Sequence, residues 1–262
     1  MHRFGGKVIH QSRDEHGTIE VVDDGAYRSL HFGSEPKQSS MELHDPIRLA
    51  LTYTRAMTAA LLFNEQPRSV LLIGLGGGSL AKFFLHHFPD CRVDAVEYRE
   101  AVYKVARGYF RLPDDPRLTM HFADAGEFIR RADAAYGNYD MILVDAFTGD
   151  GIARSTCGLS FFESCRARLS PQGVLAANLW SGDFIKLEDI LQDIHDNFDG
   201  RTLQLPVEGK ANVIGLATLQ GSPKRELRRM SDRARALQMR TGVEMAVLLN
   251  QLRKNNRHWF WS

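Results

Sequence analysis

The sequence has little cysteine and no long apolar run. Its three cysteines, Cys91, Cys157 and Cys165, are odd in number and show no CxxC spacing. That argues against a disulfide framework and a zinc site and fits a reducing compartment. The opening segment, residues 1–17, carries no apolar stretch of signal-peptide type. Nothing approaches the roughly 18 to 20 apolar residues of a membrane span. A cytoplasmic protein with no membrane contact is the expectation. Excess charge is lacking as well. The formal net charge is +1, so the molecule as a whole offers no electrostatic case for nucleic acid or an acidic membrane surface.

What is present suits an ordinary folded protein. The 262 residues, 44% hydrophobic and 25% charged, allow one α/β domain with a small appendage. The charge is unevenly placed. Between Gly221 and Ser262 ten Lys and Arg stand against Glu226, Asp232 and Glu244. Leu227, Met230, Ala234 and Leu237 form one helical stripe there, so an amphipathic helix packed on the domain with a solvated basic face is the simplest reading. Nucleic-acid binding through this tail stays open, because the final His258-Trp259-Phe260-Trp261 could stack on bases.

Three segments follow from periodicity and turn chemistry. Residues 1–40 read as a small β module, with Thr18 to Val22 and Tyr27 to Phe32 as a hairpin about Asp23-Asp24-Gly25. A helix is expected over 45–63, capped by Asp45 with Pro46 in its first turn. From Ser69 onward short apolar strands alternate with helices. Strands are expected at Ser69–Ile73, Arg92–Glu97, Leu118–Phe122, Tyr139–Ala146, Gly173–Leu179, Thr202–Leu205 and Asn212–Thr218. Continuous apolar strands separated by helices imply a doubly wound parallel sheet covered on both faces. A nucleoside-binding domain over 41–222 and a basic helical extension over 223–262 complete the expected organisation.

The strongest local signal is Gly74-Leu-Gly76-Gly77-Gly78-Ser79, between a strand and a helix. Glycines there permit a sharp turn and close approach of backbone to ligand. The loop lacks the Gly-Lys-Ser/Thr ending of a P-loop. Glu97 ends the next strand, placed to accept hydrogen bonds from ribose hydroxyls. Asp124, followed by Ala125, ends the third strand and suits either an adenine amino group or a helix N-cap. Asp145 ends the fourth strand, with Asp150 five residues on. The pair His86-His87 reads as surface histidines at a helix end, and no metal site suggests itself.

In this order the motifs resemble the spermidine and spermine synthases. The resemblance runs from about Thr18 to Thr218. It is carried by Ile19 to Leu30, by Gln38-Ser39-Ser40-Met41, by Asp115-Pro116-Arg117-Leu118 with Asp124, and by Tyr139 to Asp145. It implies a class I methyltransferase (Rossmann-like) sheet with an N-terminal β module, assembled as a homodimer. It also implies aminopropyl transfer from decarboxylated S-adenosylmethionine to a small-molecule amine. The nucleoside would be held by Gln38, Gly74, Gly76, Gly77, Gly78, Glu97, Asp124, Ala125 and Asp145.

The departures from the family pattern concern the acceptor end. The family has an aspartate where this chain has Gly77, an acid where it has Arg99, and a second acid where it has Thr148. The usual acidic base is thus replaced, leaving Asp145 and Asp150 as catalytic candidates. Two alternatives stay open: a methyltransferase using S-adenosylmethionine, whose carboxylate Gly77 would no longer repel, and a non-catalytic nucleoside-binding member. An NAD dehydrogenase is a more distant rival, disfavoured by Asp124, Asp145 and the N-terminal module.

Overall fold

A computed structural model describes residues 2–131, 138–148, 151–180 and 186–257. The chain opens with five strands, β1 (His2–Arg3), β2 (Gly6–Asp14), β3 (Gly17–Asp23), β4 (Tyr27–His31) and β5 (Lys37–Glu42). They pair in that order as an antiparallel meander. The expected hairpin is present as β3 and β4, with Val21 opposite Leu30. Strand β2 is not evident from the sequence, because beyond the adjacent Val8 and Ile9 its residues are polar and none from Lys7 to Asp14 is fully buried. One face of the meander carries Ile19, Val21, Leu30 and Met41. They pack on Val102, Val105 and Phe110, from and just beyond helix α3 (Glu100–Tyr109). The module therefore shares its core with the domain that follows.

The helix expected over 45–63 is shorter than its pattern suggests. The Asp45 carboxylate accepts from the backbone N–H of Ile47 and Arg48. Leu49 then pairs with Met41 in an isolated β-bridge, which holds the chain extended. Helix α1 (Thr52–Met57) starts only beyond that bridge and runs into a 3₁₀ turn over Thr58–Leu62. Asp45 does initiate a turn, but tertiary pairing of Leu49 keeps it from growing into a helix.

The second sheet has seven strands. In chain order these are β6 (Ser69–Ile73), β7 (Arg92–Glu97), β8 (Leu118–Phe122), β9 (Tyr139–Val144), β12 (Leu169–Trp180), β13 (Thr202–Pro206) and β14 (Asn212–Thr218). The short strands β10 (Phe147–Thr148) and β11 (Gly151–Ile152) form a separate ribbon. The spatial order is β13-β14-β12-β9-β6-β7-β8. Strand β14 runs antiparallel to both neighbours, and the other pairs are parallel. Alternate residues serve opposite faces, as strand geometry requires. Val70 and Leu72 join one core, with α1, α2 (Ser79–His87), α8 (Ser231–Thr241) and α9 (Met245–Asn255), the short α7 (Pro223–Glu226) leading toward α8. Leu71 and Ile73 join the other, with α4 (Ala125–Arg130), α5 (Leu159–Ala167) and α6 (Leu187–Asn197).

The basic tail packs as the stripe predicts, with Leu227, Met230, Ala234 and Leu237 in the first core. Several of its arginines fasten the domain. Arg233 donates to the Leu62 carbonyl at 2.7 Å, and Arg253 donates to the Leu227 carbonyl at 2.7 and 2.9 Å. Arg240 lies over the Phe88 ring at 4.5 Å. The terminal His258-Trp259-Phe260-Trp261 lies outside the described residues. Among the described residues no helix is long and apolar enough to cross a membrane.

Arg99 ties the two sheets together. Its guanidinium donates to both Asp14 oxygens at 2.8 and 3.0 Å and to the Gly17 carbonyl at 3.1 Å, with the Phe32 ring 4.6 Å beneath it. Burial penalises the Asp14 charge, but the Arg99 hydrogen bonds outweigh it and hold the carboxyl below its usual range. The positive charge that the sequence places near the acceptor end is thus spent on Asp14. Replacing Arg99 with Ala strands a partly buried carboxylate. The expected loss is about 3 kcal/mol of unfolding free energy in urea, with hydrogen-exchange protection falling first across β2 and β3. Unchanged exchange in those strands would contradict the clasp.

Candidate active site

Strand β6 is the switch point of the sheet. The chain leaves it toward β7 and β8 on one side and returns across it to β9 on the other. The crevice above the carboxyl ends of such strands is where open α/β sheets bind ligands. Gly74 sits at its floor with φ +95°. Its N–H donates to the Val96 carbonyl at 2.9 Å, and the Asp145 N–H donates to the Ile73 carbonyl at 2.7 Å. A Cβ at Gly74 would lie 2.2 Å from the Asp145 carbonyl oxygen. Only glycine allows the β6 and β9 exits to meet this closely.

The rest of the loop lies under the N-terminal module. Gly76 faces the Gln38 carbonyl, and a Cβ there would be 3.6 Å from it. The Ser39 and Ser79 hydroxyls are 3.4 Å apart. At Gly77 a Cβ would stand 2.7 Å from Ser39 Oγ and 2.8 Å from Phe110 Cδ1. The volume next to this position is already filled by residues from β5 and from the end of α3. Phe110 is itself held from below, since the buried Lys82 ammonium donates to its carbonyl at 2.7 Å. Burial lowers that lysine to about 8. Gly78 precedes the first turn of α2, which has no side-chain cap.

Glu97 sits at the end of β7, half-buried. Its Oε2 accepts from Leu75 N–H at 3.1 Å and its Oε1 from Arg99 N–H at 2.9 Å. Burial raises its proton affinity, and these backbone donors oppose that. Asp124 caps α4, accepting from Glu127 N–H at 2.9 Å, with Ala125 buried behind it. The N-cap reading of Asp124 is thereby correct, and the cap leaves the other carboxylate oxygen available. Two aromatic residues at the same strand ends escaped the sequence reading. Tyr98 is 60% exposed beside Glu97, with the His16 ring 4.7 Å away, and Phe122 is 46% exposed at the end of β8. For Tyr98, an aromatic directly after the strand-end Glu97, the signal was available in the sequence.

Asp145 is a strongly perturbed acid at the strand ends. It is half-buried at the end of β9. Asn178, on β12, donates to its Oδ1 at 2.8 Å, and the Tyr53 hydroxyl of α1 reaches the same carboxylate. Burial pushes Asp145 up to about 6, against the stabilising donation of Asn178 and Tyr53. Tyr53 also reaches the Gln38 carbonyl, at 3.4 Å. Its own ionisation is driven well upward by burial and by the Asp145 charge. Gln38, Gly74, Gly76, Glu97, Asp124 and Asp145 thus converge on one crevice. Asp150 lies outside the described residues. Thr148 pairs through its backbone with Gly151. Sequence reasoning does not single out Asn178, a lone amide in an otherwise apolar strand end. Among the described residues no group of three His, Cys, Asp or Glu is placed to hold a metal ion.

Residues 51–203 match the family model of the spermine/spermidine synthase domain. The chain is 38% identical over 240 residues to the polyamine aminopropyltransferase of Chromobacterium violaceum, covering 91% of this chain and 90% of that one. Among solved structures, human Methyltransferase-like protein 13 in complex with SAH is 26% identical with a TM-score of 0.62. That match covers 80% of this chain and 96% of the other. A probable spermidine synthase from Corynebacterium glutamicum shares the fold, with a TM-score of 0.71 at 19% identity over 91% and 95% of the two chains.

The loop geometry sets an order of tolerance. Gly74→Ala meets backbone and an unfavourable φ, and is expected to cost at least about 3 kcal/mol. Gly77→Ala meets side chains that can shift, and is expected to cost about 1 to 2 kcal/mol. Urea denaturation of the two variants checks this, and equal or reversed losses would contradict the close approach at Gly74.

Proposed function

The chain belongs to the spermine/spermidine synthase family, and from that premise we propose that it transfers the aminopropyl group of decarboxylated S-adenosylmethionine to a small amine. The observation that carries the reading is Asp145. It is a carboxylate at the switch point, raised to about 6 and held by Asn178 and Tyr53. An amine must lose a proton to attack the carbon beside a sulfonium. As the C–N bond forms, the C–S bond breaks, its electron pair stays on sulfur as methylthioadenosine, and the amine's proton passes to Asp145. A base whose pKa lies near the working pH suits that transfer. Asp145 then fills the role left open by Thr148.

The adenosyl half of the proposed site has support from the strand ends. Glu97 offers its remaining lone pairs to the ribose hydroxyls, Asp124 its free oxygen to the adenine amino group, and Tyr98 or Phe122 a ring face to the purine. The Gly74-to-Gly78 loop lets the donor's sulfur approach. The homodimer and the small-amine acceptor implied by the resemblance belong to this same proposal.

A second reading, methyl transfer from S-adenosylmethionine, is favoured by Gly77. No acid stands there to repel the donor's carboxylate, and Ser39 and Phe110 crowd the position. The uncapped first turn of α2 can receive an anion on its N–H groups. Similarity to a methyltransferase with bound SAH supports the same reading.

Calorimetric titration with S-adenosylmethionine, its decarboxylated form and methylthioadenosine separates the two. The proposal expects the decarboxylated donor to bind at least about tenfold tighter than S-adenosylmethionine, roughly 1.4 kcal/mol. The reverse order moves the assignment to methyl transfer, and no binding by any of the three defeats both. With an amine acceptor, kcat/KM should fall as pH drops below about 6 as Asp145 takes up a proton. Asp145→Asn should lower kcat by about a hundredfold or more and abolish that limb. A wild-type pH profile in the variant would remove Asp145 from the mechanism.

A further inference from the structure

We infer that Asn178 and Asn212 are positioning residues for Asp145, a two-amide relay across three strand ends that fixes how the carboxylate is presented to the acceptor. The inference rests on the proposal that Asp145 accepts the amine's proton. Its geometry comes from the sheet register. Val144 of β9 lies beside Ala177 of β12, so the next residues, Asp145 and Asn178, are neighbours at the crevice floor. On the other side of β12, β14 begins at Asn212, opposite Trp180. Asn178 Nδ2 donates to Asp145 Oδ1 at 2.8 Å, and Asn212 Nδ2 donates to Asn178 Oδ1 at 3.0 Å.

The direction of the relay is fixed from both ends. An ionised carboxylate only accepts, so Asn178 must turn its NH₂ toward Asp145. Its oxygen is then left facing β14, where Asn212 supplies a donor. Asn178 is 3% exposed on the face that also carries Val174 and Ala176 in the first core. An amide in such a place costs free energy unless both its ends are bonded. Packing alone would favour an apolar residue like its neighbours. Among the described residues, the groups facing Asp145 are Tyr53 from α1, Asn178 from β12 with Asn212 behind it from β14, and the Gly74 backbone from the glycine loop. Of these, Tyr53 is the titratable one. The relay therefore sets one carboxylate oxygen and leaves Tyr53 to steer the rest of the group.

Asparagine at 212 matters for its polarity. An aspartate there would demand a donor from Asn178, rotate that amide and set its oxygen against Asp145. An alanine would merely release the far end while Asn178 continued to donate. The two substitutions should thus be graded, which a purely structural link between β12 and β14 would not produce.

The test is the carboxyl titration of Asp145, read by NMR in isotope-labelled protein and assigned from the resonance lost in Asp145→Asn. It needs no turnover. Asn212→Asp is expected to raise the Asp145 midpoint by about one unit or more, and Asn212→Ala by a few tenths. Asn178→Ala, which removes the donor itself, should match Asn212→Asp and serves if that variant does not fold. Midpoints that agree with the unsubstituted protein to within about 0.2 in the folded variants would overturn the relay. Failure of the catalytic reading would show differently, as a pH-rate profile unaltered by Asp145→Asn while the graded titration shifts persist.

Discussion

The contact on which the rest of the molecule depends is the approach of Gly74 to the Asp145 backbone. It joins the exits of β6 and β9, the two strands between which the sheet changes direction. A side chain at 74 would stand 2.2 Å from the Asp145 carbonyl oxygen. Holding these exits together places the glycine loop and Asp145 on one floor, with Glu97 and Asp124 arriving from the neighbouring parallel strands. Parallel β6, β7, β8 and β9 deliver their carboxyl ends to the same edge, so one geometric condition brings four sequence-distant segments to a single crevice.

The N-terminal meander is part of that crevice. β5 brings the Gln38 carbonyl to Tyr53 and Ser39 to Gly77, while the turn between β2 and β3 is clasped by Arg99. Two departures from the family pattern acquire a physical reason in this way. At position 99 an arginine fastens the meander through Asp14. At position 77 a side chain would press on Ser39 and Phe110, which would have to shift to admit it. Arg99 thus helps hold the N-terminal module in place, and burial pushes Asp145 up to about 6.

Much of this was legible in the sequence. Ser69–Ile73, Arg92–Glu97, Leu118–Phe122 and Asn212–Thr218 emerge as strands at the expected bounds, because strands covered by helices read as short apolar runs between breakers. The glycine loop and the strand-end acids Glu97, Asp124 and Asp145 stand at the ends of the strands the sequence predicts, at the offsets of a βαβ unit. What escaped depends on tertiary pairing. Strand β2 has no continuous apolar face to announce it. The helix over 45–63 is cut short because Leu49 bridges to Met41, a contact that local periodicity does not encode. Asn178 is visible only as an amide among apolar residues, and its purpose emerges once β9 and β14 lie on either side of it. The arginines of the tail looked like a solvated face, whereas Arg233, Arg240 and Arg253 reach back onto the domain.

The central claim is that the crevice over β6 holds an adenosyl nucleoside with its sulfur facing Asp145. A crystal structure of the protein with methylthioadenosine tests it most directly. The account predicts ribose hydroxyls on Glu97, the adenine amino group at Asp124, and the sulfur above the Gly74-to-Gly78 loop on the Asp145 side. A nucleoside bound elsewhere, or one whose sulfur points away from Asp145, would contradict it.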